Sequence, residues 1–242
     1  MKWFLFFAAA ALAFGQQPKS QGANFYSPGN EVALGERFAN AFESQCTFGT
    51  DPRLDQIGAR LAAKAESFQY HFFVFEGGQP SDDTTPAAAF PGDWRRLQID
   101  EAIAAAGGTI FVPHTLMARS DAELAAILAH AIGHIALHHP TKIMTRGVLA
   151  QIGQQAAGQS APPDSAAQQR FAIDLSLLAR DRSFEREADL YAVQLLFRAG
   201  FEPTDMVHYL EGLPPMAASP ASVYPATENR IKAVQRAITD LK

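Results

Sequence analysis

At 242 residues, 48% of them apolar and 19% charged, the chain has the make-up of a globular protein with one sizeable core, not of a disordered one. Its 20 basic against 25 acidic residues leave a formal charge of -5, and no basic cluster exceeds the pair Arg95 and Arg96, which excludes the electrostatic footprint of a nucleic-acid binder. A single cysteine, Cys46, excludes an intramolecular disulfide, so stability has to come from the core.

The chain opens MKWFLFFAAAALAFGQQ: one positive residue (Lys2), an apolar run from Trp3 to Phe14, and small residues at Ala13 and Gly15. That order predicts a secretory signal over residues 1–15, cut after Gly15, and therefore an exported protein, periplasmic or extracellular. The run is shorter than the ~20 apolar residues that span a bilayer, and no later stretch reaches ~18, so no stable membrane insertion is expected after signal cleavage. Residues 16–30 are polar with Gly, Pro and Ser and read as a linker, leaving one domain over residues 31–242.

Residues 31–44 have apolar positions at Leu34, Phe38 and Phe42, and residues 51–67 start with Asp51 as an N-cap and Pro52 at the first helical position; both predict amphipathic helices. The aromatic stretch FQYHFFVFEGG (68–78) predicts a strand, TIFVP (109–113) a second, and the Pro-bounded PAAAFPG (86–92) a weaker extended segment suited to a sheet edge. Between them, the segment 93–106 shows helical spacing at Trp94, Leu97 and Ile103.

The strongest helix signal is SDAELAAILAHAIGHIALHHP (120–140), with a Ser/Asp start, acids in the first turn and Pro140 as its stop. Apolar on most sides, it should be central and buried. Helical patterning continues to about residue 157, resumes after a loop at 158–166 as far as Gly200, and returns at 203–211 and 227–241.

Within the central helix, His130 and His134 lie four apart and so share a face, where their imidazoles can address one ion. An HxxxH pair alone is a weak signal, more often two core-adjacent histidines than a metal site. Glu185, in RSFEREADLY on the next long helix, would complete a His₂Glu set with an open fourth position if the helices cross, and Asp189, one turn on, would accept a proton from a ligand histidine. Glu123 shares the face but lies about two turns, or ~10 Å, from His130. Glu187 reads as a solvated charge, His138 as a helix-end or surface residue, and His139 as a packing or hydrogen-bonding residue.

AELAAILAHAIGHIALHH resembles the metal-binding helix of the zinc metallopeptidases of the CAAX prenyl protease, HtpX and BepA type, peptidase family M48, in which HExxH is followed by a further histidine at the position of His139. DRSFEREAD resembles that family's second signature, whose glutamate, here Glu185, is the third zinc ligand. LGERFANAFES, DPRLDQIGARL and YPATENRIKAV resemble its opening helices and C-terminal segment, so the likeness runs over roughly residues 31–240. It implies one zinc ion, an α+β, mostly helical, zincin-like domain with a small, largely antiparallel sheet over the metal-binding helix, and a polypeptide as substrate or client.

The departures concern chemistry. The position of the family's water-activating glutamate is Ala131. The family's extended Asn-Ala-Phe-Ala-x-Pro-Gly-Gly stretch is PAAAFPGD, altered at Pro86, Ala88 and Asp93, and its His-Pro pair is Tyr224-Pro225. Ala88, Phe90 and Tyr224 are thus the candidate cleft residues. Three readings follow: a zinc-binding protein with peptide hydrolysis impaired or lost, an active zinc endopeptidase that takes its base from elsewhere, and a non-enzymatic, chaperone-like module that binds extended polypeptide.

Overall fold

The computed structural model describes residues 22–43, 47–76, 101–156, 182–213 and 226–241. The predicted signal, the 86–92 segment with Ala88 and Phe90, residues 93–100, and Tyr224 lie outside these. The elements run α1 (Pro28–Glu43), β1 (Thr47–Gly49), α2 (Pro52–Ala62), β2 (His71–Glu76), β3 (Ile103–Ala104), β4 (Thr109–Pro113), α3 (Asp121–Ala136), α4 (His139–Ala156), α5 (Arg182–Arg198), α6 (Asp205–Glu211) and α7 (Thr227–Asp240). The architecture is α+β and mostly helical, as expected. The first helix begins at Pro28, inside the stretch read as linker, and Ile103, read as helical, belongs to a strand.

The four strands lie in the order β1-β2-β4-β3. Two antiparallel pairings, β1 with β2 and β3 with β4, flank a parallel one in which His71 pairs with Thr109 and Val74 with Val112. The sheet is therefore mixed, its central pairing parallel. Alternation along the strands gives it two buried faces. Phe72, Val74, Ile110 and Val112 join the main core with α2 and α3. Phe75 and Phe111 face the other way, where Phe42 of α1 meets both edge to face at ring distances of 5.2 and 5.0 Å. An α1 layer, a sheet layer and a helical layer result, with α3 at the centre of the last.

Why α3 holds its place follows from its sequence. Ser120 caps its start: the side chain accepts from the Glu123 backbone N–H, and the Glu123 carboxylate accepts from the Ser120 backbone N–H, a reciprocal capping box that satisfies two donors the helix leaves open. Every residue from Leu124 to Gly133 is buried, as the all-round apolar pattern predicts.

The far end differs from expectation. Helix α3 stops at Ala136, four residues before Pro140, because His138 takes a left-handed conformation with φ 59°. Pro140 then sits in the first turn of α4, where its missing N–H costs nothing. Proline here admits a new helix and does not end the old one. The reversal is tied down from outside: His138 Nδ1 lies 2.8 Å from a carboxylate oxygen of Glu31 on α1, whose other oxygen accepts from Thr141 Oγ1 (2.8 Å) and Asn24 Nδ2 (2.6 Å). Glu31 is buried, and although burial alone would raise its pKa, these bonds hold it below the ordinary carboxylate value.

Helix α5 crosses α3 at Gly133. A Cβ built there would sit 3.0 Å from the Ala188 carbonyl oxygen and 3.3 Å from Tyr191 Cβ, so the two helices approach as closely as a missing side chain allows. Gly133→Val should therefore overpack the crossing and cost about 1–3 kcal/mol. Chemical denaturation checks it; an unchanged midpoint would show that the crossing has slack.

Candidate metal centre

One turn of helix separates His130 from His134, and both imidazoles face α5. Their Nε2 atoms are 3.0 Å apart. The Glu185 carboxylate closes a triangle, with one oxygen 3.6 Å from His130 Nε2 and the other 3.4 Å from His134 Nε2. The helices cross as the sequence requires, and these three side chains are the group among the described residues that could hold a metal ion.

Whether they fit zinc is a question of size and donor type. A tetrahedral zinc with bonds of about 2.0–2.1 Å has ligand atoms about 3.3 Å from one another. The three edges observed, 3.0, 3.4 and 3.6 Å, straddle that length. Two imidazoles and one carboxylate are also a borderline donor set that zinc accepts, with a fourth position left over for another ligand. The residues fit the ion.

Behind each histidine stands a second group. His130 Nδ1 lies 3.0 Å from Asp189 Oδ1, in the position expected for that acid. Asp189 is in turn gripped by Arg230 of α7, whose Nε and Nη2 donate to its two oxygens at 2.8 and 2.7 Å. Arg230 Nη2 also comes within 3.3 Å of Glu185. All of these side chains are buried, which is tolerable only because the charges answer one another.

His134 Nδ1 meets Nδ1 of His139 at 3.1 Å, and His139 Nε2 lies 3.3 Å from a Glu187 oxygen. The His139 ring stacks on Phe184 at 4.2 Å with an interplanar angle of 9°, and Arg146 covers the Phe184 ring at 4.4 Å. Neither contact was legible beforehand. Glu187, read as solvated, is mostly buried and paired with His139, and His138, read as surface, is tied to buried Glu31.

The electrostatics follow these pairings. Burial lowers the His130 pKa, but Asp189 and Glu185 outweigh it and raise the net value above the ordinary one. Burial dominates at His134, which is pushed well below its ordinary value, with His130, His139 and Arg230 adding to the depression against Glu185. His139 is lowered too, mainly by burial. Burial would raise the Asp189 carboxyl, yet the Arg230 guanidinium and His130 bring it below 3.8. Arg230 sits higher still than an ordinary guanidinium, because the two carboxylates overcome its desolvation.

Arg230 is the largest omission of the sequence reading. It lies in the NRIKAV stretch already singled out, but nothing in a linear pattern says that a C-terminal arginine reaches an acid some forty residues earlier. Ala131, between the two histidines, is buried at 2% exposure and contributes only a methyl group. Glu123, the acid nearest His130 on the N-terminal side of α3, is engaged in its capping box and bonded to Arg119.

The sequence model of peptidase family M48 matches residues 50–238. The beta-barrel assembly-enhancing protease of Yersinia pestis is 26% identical over 201 residues, which is 76% of this chain and 37% of that protein. Its counterpart from Escherichia coli strain K12 is 25% identical over 229 residues, 86% of this chain and 42% of that protein. The chain spans about two fifths of the length of these curated relatives.

Removing one partner from the buried ion pair should be expensive. Arg230→Met leaves Asp189 and Glu185 without their guanidinium and should cost about 3–5 kcal/mol in denaturant unfolding; a change below 1 kcal/mol would mean the pair is solvated in solution. Folding lowers the Asp189 pKa, so its contribution is complete above pH 3.8 and is lost as pH falls through the lower folded value. Asp189→Asn, though destabilising at neutral pH, should therefore show a flatter loss of stability below pH 3.8 than the parent chain.

Proposed function

This chain belongs to peptidase family M48, and we propose that it is an exported member that binds one zinc ion through His130, His134 and Glu185 but hydrolyses peptides poorly or not at all. The observation that carries the proposal is the pairing of a donor triangle of zinc dimensions with an alanine at position 131 between its two histidines. Export rests on the signal-like order of residues 1–15. Polypeptide as the class of substrate or client rests on the family and on the relatives' name, which describes a protease that enhances β-barrel assembly.

A zinc ion at such a site supplies a Lewis acid that polarises a carbonyl and brings water within reach of deprotonation at neutral pH. What the chain's own residues must add is a base that takes the proton during attack and returns it to the leaving amine, worth typically 10² to 10⁴ in rate, or roughly 3–5.5 kcal/mol. Ala131 cannot do so. Among the described residues, the acids around the triangle are committed elsewhere: Asp189 to His130 and Arg230, Glu187 to His139 on the far side of His134, and Glu123 to the helix cap. His130, His134 and Glu185 are thus disposed to hold the ion and Asp189 to orient His130, while among the described residues proton transfer is left without an assigned group.

Two measurements test this. Purified mature protein should carry one zinc per chain, with His134→Ala lowering both occupancy and the melting temperature, because a ligand of the folded state stabilises it by mass action. Equal zinc content in the two proteins would sink the metal assignment. Ala131→Glu should then raise chelator-sensitive cleavage of casein from near background, by up to the 10² to 10⁴ of a general base. A zinc-loaded Ala131→Glu protein that cleaves nothing would point to a polypeptide-binding module instead, and strong cleavage by the unaltered chain would mean that another residue supplies the base.

A further inference from the structure

We infer that His139 and Glu187 are positioning residues for His134, fixing by a relay of two hydrogen bonds the tautomer that leaves His134 Nε2 free to bind a metal. The inference rests on the zinc reading above and extends it from the His130 side of the site to the His134 side. A metal-binding imidazole needs its other ring nitrogen protonated and given an acceptor, and such partners commonly set ligand orientation and basicity. For His130 the facing group is a carboxylate directly: Asp189 Oδ1 stands 3.0 Å from Nδ1. For His134 the atom facing Nδ1 is another imidazole nitrogen, Nδ1 of His139 at 3.1 Å.

Two nitrogens that face each other share one proton between them, so which ring carries it is decided one step further out. His139 Nε2 lies 3.3 Å from a Glu187 oxygen, and a carboxylate only accepts. The proton of a neutral His139 is therefore drawn to Nε2, which donates to Glu187. Its Nδ1 is left as a lone pair that accepts from His134 Nδ1–H. Nε2 of His134 is then unprotonated, and it is this nitrogen that faces His130 Nε2 and Glu185. The opposite tautomer of His139 would put a proton on its Nδ1, force the His134 proton onto Nε2 and close the ligand position. Every proton in the relay has one donor and one acceptor in the first arrangement only.

The rest of the neighbourhood keeps the relay in register. His139 is fully buried and its ring lies flat on Phe184, which fixes the plane in which both nitrogens point. The left-handed turn at His138 is what brings residue 139 back against residue 134, and the turn is held by the Glu31 contact. Phe184, Glu185 and Glu187 all come from the first turn and a half of α5, so the stacking ring, the third metal donor and the end of the relay move as one unit.

His139→Phe keeps an aromatic ring on Phe184 but removes the acceptor, His139→Asn offers an amide oxygen near the Nδ1 position, and Glu187→Ala removes the outer carboxylate. Zinc alone is the probe, titrated against a competing chelator. His139→Phe should weaken zinc binding by about 10 to 100-fold, with Asn recovering most of the loss and Glu187→Ala weakening binding by about tenfold. In the zinc-loaded parent chain, nitrogen-15 NMR should show His134 protonated at Nδ1, and that Nδ1–H signal should shift or vanish in His139→Phe. Parent-like zinc affinity in both His139→Phe and Glu187→Ala, or an Nε2-protonated His134 in the parent, would overturn the inference. So would an Asn variant that binds as weakly as Phe. Should His139→Phe fail to fold, Glu187→Ala decides alone, since its side chain is partly exposed and its loss leaves the Phe184 stack untouched. A parent chain that takes up no stoichiometric zinc overturns the metal reading and this inference together, whereas binding that ignores the variants overturns this inference only.

Discussion

The crossing of α3 over α5 at Gly133 and Ala188 is the constraint on which the site depends. Gly133 lies between His130 and His134, and Ala188 between Glu185 and Asp189, so the smallest residue of each segment is the one at the contact. On a helix, side chains three or four positions apart flank a common point. Bringing the two points together therefore delivers two histidines and two acids into one volume. A longer side chain at either position would widen the helix separation, and the ligand triangle, whose edges already span 3.0 to 3.6 Å, would open with it.

Concentrating those groups in a dry crossing creates an electrostatic problem that the rest of the fold answers. With neutral imidazoles, Glu185 and Asp189 bring two negative charges and Arg230 one positive, all buried. An uncompensated buried charge is costly enough that a group will bind a proton or an ion to remove it. His130 is the imidazole that both carboxylates approach and whose pKa they raise, and so the group placed to take such a proton. A divalent cation would supply the same compensation, so proton and metal would compete for one deficit. The C-terminal helix α7 thus contributes to a site whose candidate ligands all lie before residue 190, because its arginine sets how large that deficit is.

What the linear sequence discloses and what it hides divide along the same physical line. His130 and His134 are legible because helical periodicity fixes which residues share a face, and Glu185 and Asp189 because DRSFEREAD resembles the family's second signature. Arg230 and Glu187 are not, nor are the partners of His139, because these contacts depend on turns that no local pattern determines. The reversal at His138 is the clearest instance: a proline two residues later reads as a helix stop, while the backbone change is made by a histidine in the left-handed region and stabilised by an acid on α1. The sheet shows the same limit. Aromatic and β-branched residues mark β2 and β4 as strands, but their parallel pairing depends on the chain between them, not on the residues in them.

Ala131 can be understood within this economy of buried charge. The position is 2% exposed and adjoins His130, so a carboxylate there would have to be desolvated next to two others at Glu185 and Asp189. Like charges gathered in a dry site destabilise the fold unless a cation is bound, which is why catalytic groups are commonly held at a cost in stability. A methyl group removes that cost while leaving the crossing, the ligand triangle and the Asp189–Arg230 pair as they are. On the proposed reading, metal binding and proton transfer are therefore separable: the donor triangle follows from the packing of α3, α5 and α7, whereas a base at position 131 would be one side chain that the packing does not need.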